Sequence, residues 1–355
     1  TVPCSPPAGS LLAMLAQLPT LTLGWSPSEP LPIAEMGMQG GTYGDLLFTV
    51  GGFTGFSITG SLLEFNANNS QWTKLGDAPS SANVGTDDSG SAVLNGTLFL
   101  VGGIWASPQG IQNVSTMVSF DIATQTWATK SPMQHARRGL AVAADETAGQ
   151  LYAVGGINCK QNCYGESVEY LPIVEVYTAA TNCWARINDM NTARRDLAVG
   201  FFESNLYVVG GCNNRGGGSS TNCEALDSVE VYNTHTKKWN TGPSLTYARH
   251  GHGVGICPGL GLVAFGGSSQ PGIMNNPAPE AETEKLWLSA QRSKASLPAW
   301  EAAGSLGTPR YGLLKGFGLH VRGFIYAVGG STANPGTFNP SREVERFACH
   351  ESQST

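Results

Sequence analysis

Charge is scarce in this chain. Of 355 residues 20 are basic and 26 acidic, 13% together, about half the share usual in soluble domains. Long solvated helices need charged outer faces and are not expected. The balance is −6 at neutral pH; the basic footprint that neutralises phosphates is missing, and nucleic acid is not an expected partner. Apolar runs such as Leu11–Leu15 and Leu151–Val154 are short, far below the roughly 20 residues that cross a bilayer, so no membrane span is expected. CxxC and CxxH spacings do not occur, nor do HExxH, GxSxG or a glycine-rich phosphate cradle. No metal or other cofactor is expected. Glycine, by contrast, is plentiful at 46 positions, nearly twice the usual share of about 7%. Few charges and much glycine suit short strands joined by tight turns.

Eight cysteines are present: Cys4, Cys159, Cys163, Cys183, Cys212, Cys223, Cys257 and Cys349. Cys159 and Cys163 flank three residues, and Cys212 and Cys223 flank the loose stretch 213–222. Such segments order themselves poorly, and a disulfide would hold each. With a start at Thr1 that fits removal of a secretory leader, these cysteines predict an extracellular protein, the alternative being a cytoplasmic one with reduced thiols. Asn68, Asn95 and Asn113 head Asn-x-Ser/Thr sequons and are candidate glycosylation sites.

An apolar segment ending in Gly-Gly recurs six times, at Leu47–Gly52, Leu98–Gly103, Leu151–Gly156, Leu206–Gly211, Leu262–Gly267 and Ile325–Gly330. The first glycines stand 51, 53, 55, 56 and 63 residues apart. Each Gly-Gly is followed by a variable loop and a short strand such as Val174–Tyr177 or Val229–Tyr232. A polar turn and a tryptophan come next, at Trp72, Trp127, Trp184, Trp239 and Trp300. Four repeats then carry an arginine: Ala136-Arg137-Arg138-Gly139, Ala193-Arg194-Arg195-Asp196, Ala248-Arg249-His250-Gly251 and Pro309-Arg310-Tyr311-Gly312. A fixed period of this length signals a repeat architecture.

This order of Arg, apolar strand, Gly-Gly, Val-Glu-x-Tyr and Trp resembles the kelch repeat, which implies a four-stranded blade of a β-propeller. The resemblance covers about residues 24–347, and the fold class expected is all-β: a six-bladed kelch propeller. Gly-Gly allows positive φ where blades converge, and the Trp fills the wider outer wedge. The sixth repeat lacks its Trp strand, while Trp25 stands ahead of the first blade without a parent. The N-terminal segment around Trp25 is therefore expected to close the ring as outer strand of the last blade, removing open edges. A Cys4–Cys349 staple is expected beside that joint. The boundaries expected are an extension at 1–23, one propeller domain at 24–349 and a tail at 350–355.

In an up-and-down blade the connections after strands two and four emerge on one face. That face would gather Phe53, Phe56, Trp105, Tyr164 and Arg215 from the loops together with Arg138, Arg195, His250 and Tyr311, with Arg138 and Arg195 near the central opening. Arginine and aromatics are what interface hot spots favour. The first arginine of each motif is expected to pair inside its blade, with Glu175 or Glu230 for example. Blades one and two offer Gly37 and Asn83–Val84 in the equivalent places. Glu280, Glu282 and Glu284 read as a solvated acidic loop, and His252 as a core residue rather than half of a His-x-His metal pair. Kelch resemblance implies a non-catalytic recognition or scaffold module for a protein or glycan, free-standing or a subunit of an assembly. The alternative it implies is a sugar-active enzyme, resembling sialate mutarotases or, less closely, galactose oxidases, whose Tyr, His and Cys copper set has no counterpart here.

Overall fold

The computed structural model describes residues 24–79, 88–107, 110–159, 168–214, 223–269, 279–288, 298–317, 319–332 and 339–349. Six sheets, one per repeat and antiparallel but for one added parallel strand in the first, form the six blades of a β-propeller. In blade three, Ala141–Asp145, Gln150–Val154, Val174–Thr178 and Cys183–Arg186 pair in sequence order from the axis outwards. Blade four repeats this with Ala198–Phe202, Asn205–Val209, Val229–Asn233 and Lys238–Thr241. The middle strands are buried on both faces, so Tyr152, Ala153 and Val154 are all 2% exposed or less. Period-two alternation is lost because each sheet is covered by a neighbour on either side. The core is accordingly a series of seams between blades. Tyr152, Val154 and Val176 of blade three, for example, meet Leu197, Leu206 and Val208 of blade four.

Both Gly-Gly positions are required. In all six repeats the first glycine has φ between 56° and 67° and the second between 91° and 112°. A Cβ on Gly155 would lie 2.6 Å from the Arg194 carbonyl oxygen of the next blade. Three of the outer tryptophans tie their blades to the one before in the same way. Their indole Nε1–H donates to a backbone carbonyl just past the preceding outer strand: Trp184 to Ser131 (2.8 Å), Trp239 to Asn188 (2.8 Å) and Trp300 to Pro243 (3.0 Å).

Ring closure follows the sequence expectation. Trp25–Pro27 pairs antiparallel with Val344–Ala348, Trp25 opposite Phe347, and supplies the outer strand of blade six. Trp72 of blade one then donates to Glu29 O just past that strand, at 3.1 Å, as its counterparts do elsewhere. The expected staple is corrected: Cys349 bonds Cys257, at the end of blade five's inner strand, and not Cys4. The two meet within the seam between blades five and six, while Cys4 lies outside the described residues. Cys212–Cys223 forms as expected. Cys159 is disulfide-bonded, its expected partner Cys163 lying outside the described residues, and Cys183 is an exposed free thiol.

Blade six departs from the pattern at the axis. Only His320–Val321 remains paired in its sheet, while Lys315–Phe317 runs parallel to Gln39–Gly41 of blade one. Lys315–Phe317 also lies beside the inner strands of blades two to five, and so occupies the channel. A Cβ on Gly40 would collide first with the Phe48 carbonyl of its own sheet and would also meet Leu314 Cδ1 at 3.1 Å, while one on Gly41 would press on Val93 of blade two. An axial cavity lined by Ser91, Val142, Leu197, Val254 and Leu314 among the described residues is about 20 Å³, room for one water.

Candidate interaction face

Strand two of each blade runs towards one face of the disc, and among the described residues three of the connections that leave it continue as two-stranded ribbons. Ile104–Ser107 pairs with Gly110–Asn113, Ile157–Cys159 with Val168–Tyr170, and Cys212–Asn213 with Glu224–Ala225. The third ribbon is bolted by Cys212–Cys223. In blade one the connection is a tight turn, Thr54 N–H donating to Ser57 O at 3.0 Å. That turn holds Phe56 in water at 98% exposure. Phe53 begins the turn and Trp105 sits on the first ribbon, both half-buried. Tyr164 and Arg215 lie outside the described residues.

At the axis on the same face, residues 37, 88, 139, 196, 251 and 312 hold one equivalent position in successive blades. Five backbone hydrogen bonds of 2.7–2.9 Å pass between them: Gly37 to Gly312, Gly312 to Gly251, Gly251 to Asp196, Asp196 to Gly139 and Gly139 to Asp88. All six have φ between 49° and 66°. Glycine accepts that geometry freely, and aspartate is one of the few other residues that tolerates it. This hoop was not expected from the sequence, although the Gly or Asp that ends each Arg motif was its visible mark.

Immediately before the hoop stand the four axial residues expected in the interface. Each forms a backbone bridge with the residue after its own Gly-Gly: Arg138 with Ile157, Arg195 with Cys212, His250 with Ser268 and Tyr311 with Ser331. They are gathered around the axis but covered. Arg195, His250 and Tyr311 are 2%, 2% and 5% exposed. Arg138 Nη1 lies 3.5 Å from Asp88 Oδ2, and Arg195 Nε lies 3.5 Å from Asp196 Oδ2, so hoop carboxylates balance both guanidinium charges. Arg195 also lies over the Tyr170 ring at 6.0 Å. In blade one the matching residue is Met36, bridged to Phe53. Gly37 belongs to the hoop, and Asn83–Val84 lie outside the described residues. Asp196, Cys212 and His250 approach within 4.8 Å, but the Cys212 sulfur is committed to Cys223 and offers no thiolate to a metal.

The first arginine of each motif is internal, as expected. Arg137, Arg194, Arg249 and Arg310 are fully buried and bond Glu175, Glu230, Glu284 and Glu345 at 2.8–3.0 Å. Each partner lies on strand three of the same blade. Arg194, Arg249 and Arg310 also donate through Nη1 to the carbonyl of the first glycine, at 2.8–2.9 Å. Burial pulls the pKa of Arg137, Arg194 and Arg310 down, and the partnered carboxylate pushes it back up. Glu284 therefore corrects the reading of residues 280–284 as a solvated loop: it is 1% exposed and accepts the amides of Thr246 and Tyr247. His252 is core, 3% exposed, with its pKa well below the ordinary value through burial and the nearby Arg249 and His250 charges. Among the sequons, Asn68 and Asn95 are exposed. The Asn113 amide is half-buried and donates to Asn158 Oδ1 at 3.1 Å.

On the opposite face, inner hairpins of blades three to six surround an open cavity of about 330 Å³, lined by Asp145, Glu203, Phe201, Ile256 and His320 among others. No described helix is long and apolar enough to cross a membrane.

The kelch motif matches residues 87–134 and 193–246. Beta-scruin of Limulus polyphemus is 31% identical over 131 residues, 36% of this chain and 13% of that protein. Kelch-like protein 36 of Mus musculus is 22% identical over 215 residues, 60% of this chain and 32% of its own length. Kelch-like protein terF of Aspergillus terreus is 28% identical over 176 residues, 47% and 36% of the two chains. The chain thus spans little more than a third of these relatives at most. The solved structure of YjhT matches with a TM-score of 0.66 at 16% identity, over 89% of this chain and 96% of that one, a likeness of fold alone. Motif matches, kelch-like relatives and the six-bladed sheet order together support a kelch-repeat β-propeller.

Proposed function

We propose that the protein is a non-catalytic recognition module that binds a protein partner through the face bearing the ribbons. A kelch propeller supports either a protein-binding or scaffold module or a sugar-active enzyme. The observation that favours the first is the exposed Phe56 held on a hydrogen-bonded turn in the company of rigid ribbons. A preorganised aromatic anchor costs little entropy to bind. The axial residues Arg138, Arg195, His250 and Tyr311 form the floor of this face, with Phe53, Phe56 and Trp105 as its contact residues. The disulfides Cys212–Cys223 and Cys257–Cys349 suit an extracellular setting, where Asn68 and Asn95 are the sequons open to a glycan.

Cross-linking of the protein to its partner in the native source, with mass-spectrometric mapping, tests the reading. Cross-links are expected at residues 53–58, 104–113 and 157–170. Cross-links confined to the opposite face, around Asp145, Glu203 and His320, would overturn it.

A further inference from the structure

In blades three to six a buried arginine opens the blade and a glutamate on strand three receives it. Blade one reverses the first charge and drops the second. Glu35 occupies the arginine position, as its backbone shows: Gly330 N–H donates to Glu35 O as Gly156 does to Arg194 O and Gly211 to Arg249 O. Register then places Leu63, opposite Thr49, where Glu175 stands opposite Ala153. Glu35 is 1% exposed. Its Oε1 accepts the Thr59 hydroxyl at 2.8 Å, and its Oε2 is buried without a partner among the described residues.

The place of this carboxyl gives it consequence. Residues 31–37 are the seam at which the ring closes. Leu31 N–H donates to Arg342 O and Glu35 N–H to Ser341 O, both in blade six, while Met36 and Phe53 exchange two backbone bonds in blade one. Thr59 closes the same connection from its far end, so residues 35 and 36 grip both roots of the turn that carries Phe56. Charged groups on the surrounding elements are mostly engaged elsewhere. Arg310 is held by Glu345 and the carbonyls of Gly329 and Glu343. Arg342 donates to Leu31 O, and Lys74 on strand four pairs with Asp77. An ionised carboxylate at this site would be an uncompensated buried charge.

We propose that Glu35 is a proton-operated latch on the closing seam: protonated, it holds blade one against blade six and fixes the roots of the Phe56 turn; ionised, it loosens both. Burial raises its pKa from 4.5 to about 7, against a smaller lowering by Thr59 and then by Lys74. The unfolded carboxyl ionises near the lower value and the folded one near the higher. The stabilising contribution is therefore complete below pH 4.5 and lost as pH rises through about 7. The latch is independent of what, if anything, Phe56 binds.

Hydrogen exchange at pH 5.5 and pH 8, corrected for intrinsic rates, tests it on the whole protein. Peptides covering 31–37, 53–59 and 339–344 should lose protection by roughly tenfold or more at the higher pH, relative to peptides of blade four. Glu35→Gln should abolish that loss and narrow the change in Tm between the two pH values by roughly 4 °C. Glu35→Arg with Leu63→Glu, which writes the pair of the other blades into blade one, should also remove the dependence. If the double variant does not fold, the single substitution decides. Equal protection of the wild-type seam at both pH values, or a pH response that survives Glu35→Gln, would overturn the latch.

Discussion

Blades three to six and blade one solve the same problem differently. Each must enter from its neighbour, turn through the hoop and start its inner strand with a charged residue buried at the root. In the later blades the guanidinium is satisfied from several sides at once: Arg310, for example, reaches Gly329 O, Glu343 O and Glu345. In blade one a single hydroxyl among the described residues serves Glu35, and the opposing position is Leu63. A buried ion pair adds little net stability, but a buried charge stripped of its partner is costly. The anchored blades are thus locked by mutual satisfaction, and the entry blade is held conditionally.

The sharpest way to break the contrast is to make an anchored blade resemble blade one. Arg249→Met leaves Glu284 buried without its cation, and a loss of about 3–5 kcal/mol is expected in denaturant unfolding. Adding Glu284→Met should recover only part of it, because the amides of Thr246 and Tyr247 also depend on that carboxylate. A somewhat smaller loss, about 2–5 kcal/mol, is expected for Cys257→Ser, which opens a link across 92 residues between blades five and six. Melting with and without reductant checks this, and the variant should melt alike in both as far as that bond is concerned.

A third change sharpens the comparison inside blade five. Leu197 and Leu313 pack beside the preceding Gly-Gly where blade five has His252. His252 stays neutral in the fold, whereas the unfolded chain takes up a proton near pH 6.5. Its site is therefore fully stable above that pH and loses stability as pH falls below it. His252→Leu should raise Tm at pH 5 by more than at pH 8. The smallest effect on the fold is expected for Phe56→Ala, within about 0.5 kcal/mol as for other exposed positions. Partner capture should nonetheless fall by about tenfold or more if Phe56 is an anchor, and calorimetry beside a binding assay separates the two.

Features that recur were legible in the sequence. Six Gly-Gly steps and the tryptophans give blade number, and the orphan Trp25 announces the closing strand, because a missing element in one repeat must be supplied from elsewhere. Glu175 and Glu230 were readable as arginine partners from the Val-Glu-x-Tyr strand. Glu284 was not, since its neighbours Glu280 and Glu282 made it look like part of an exposed acidic run. Cys257 and Cys349 belong to different blades, and their pairing depends on how adjacent sheets stack, which no spacing encodes. Glu35 escaped notice for a different reason: Ala34-Glu35-Met36-Gly37 fits the motif only when charge is ignored. The sequence put Arg138 and Arg195 near the central opening, but the burial of Arg195, His250 and Tyr311 arises from contacts between blades and could not be read from it.

The hoop of left-handed residues and the strand threaded beneath it make the disc a blind vessel, not a pipe. The axial cavity between the described residues, about 20 Å³, is too small to let a metabolite pass. Whatever the two surfaces engage, they engage as separate docks, and crosstalk between them has to travel through the blades themselves.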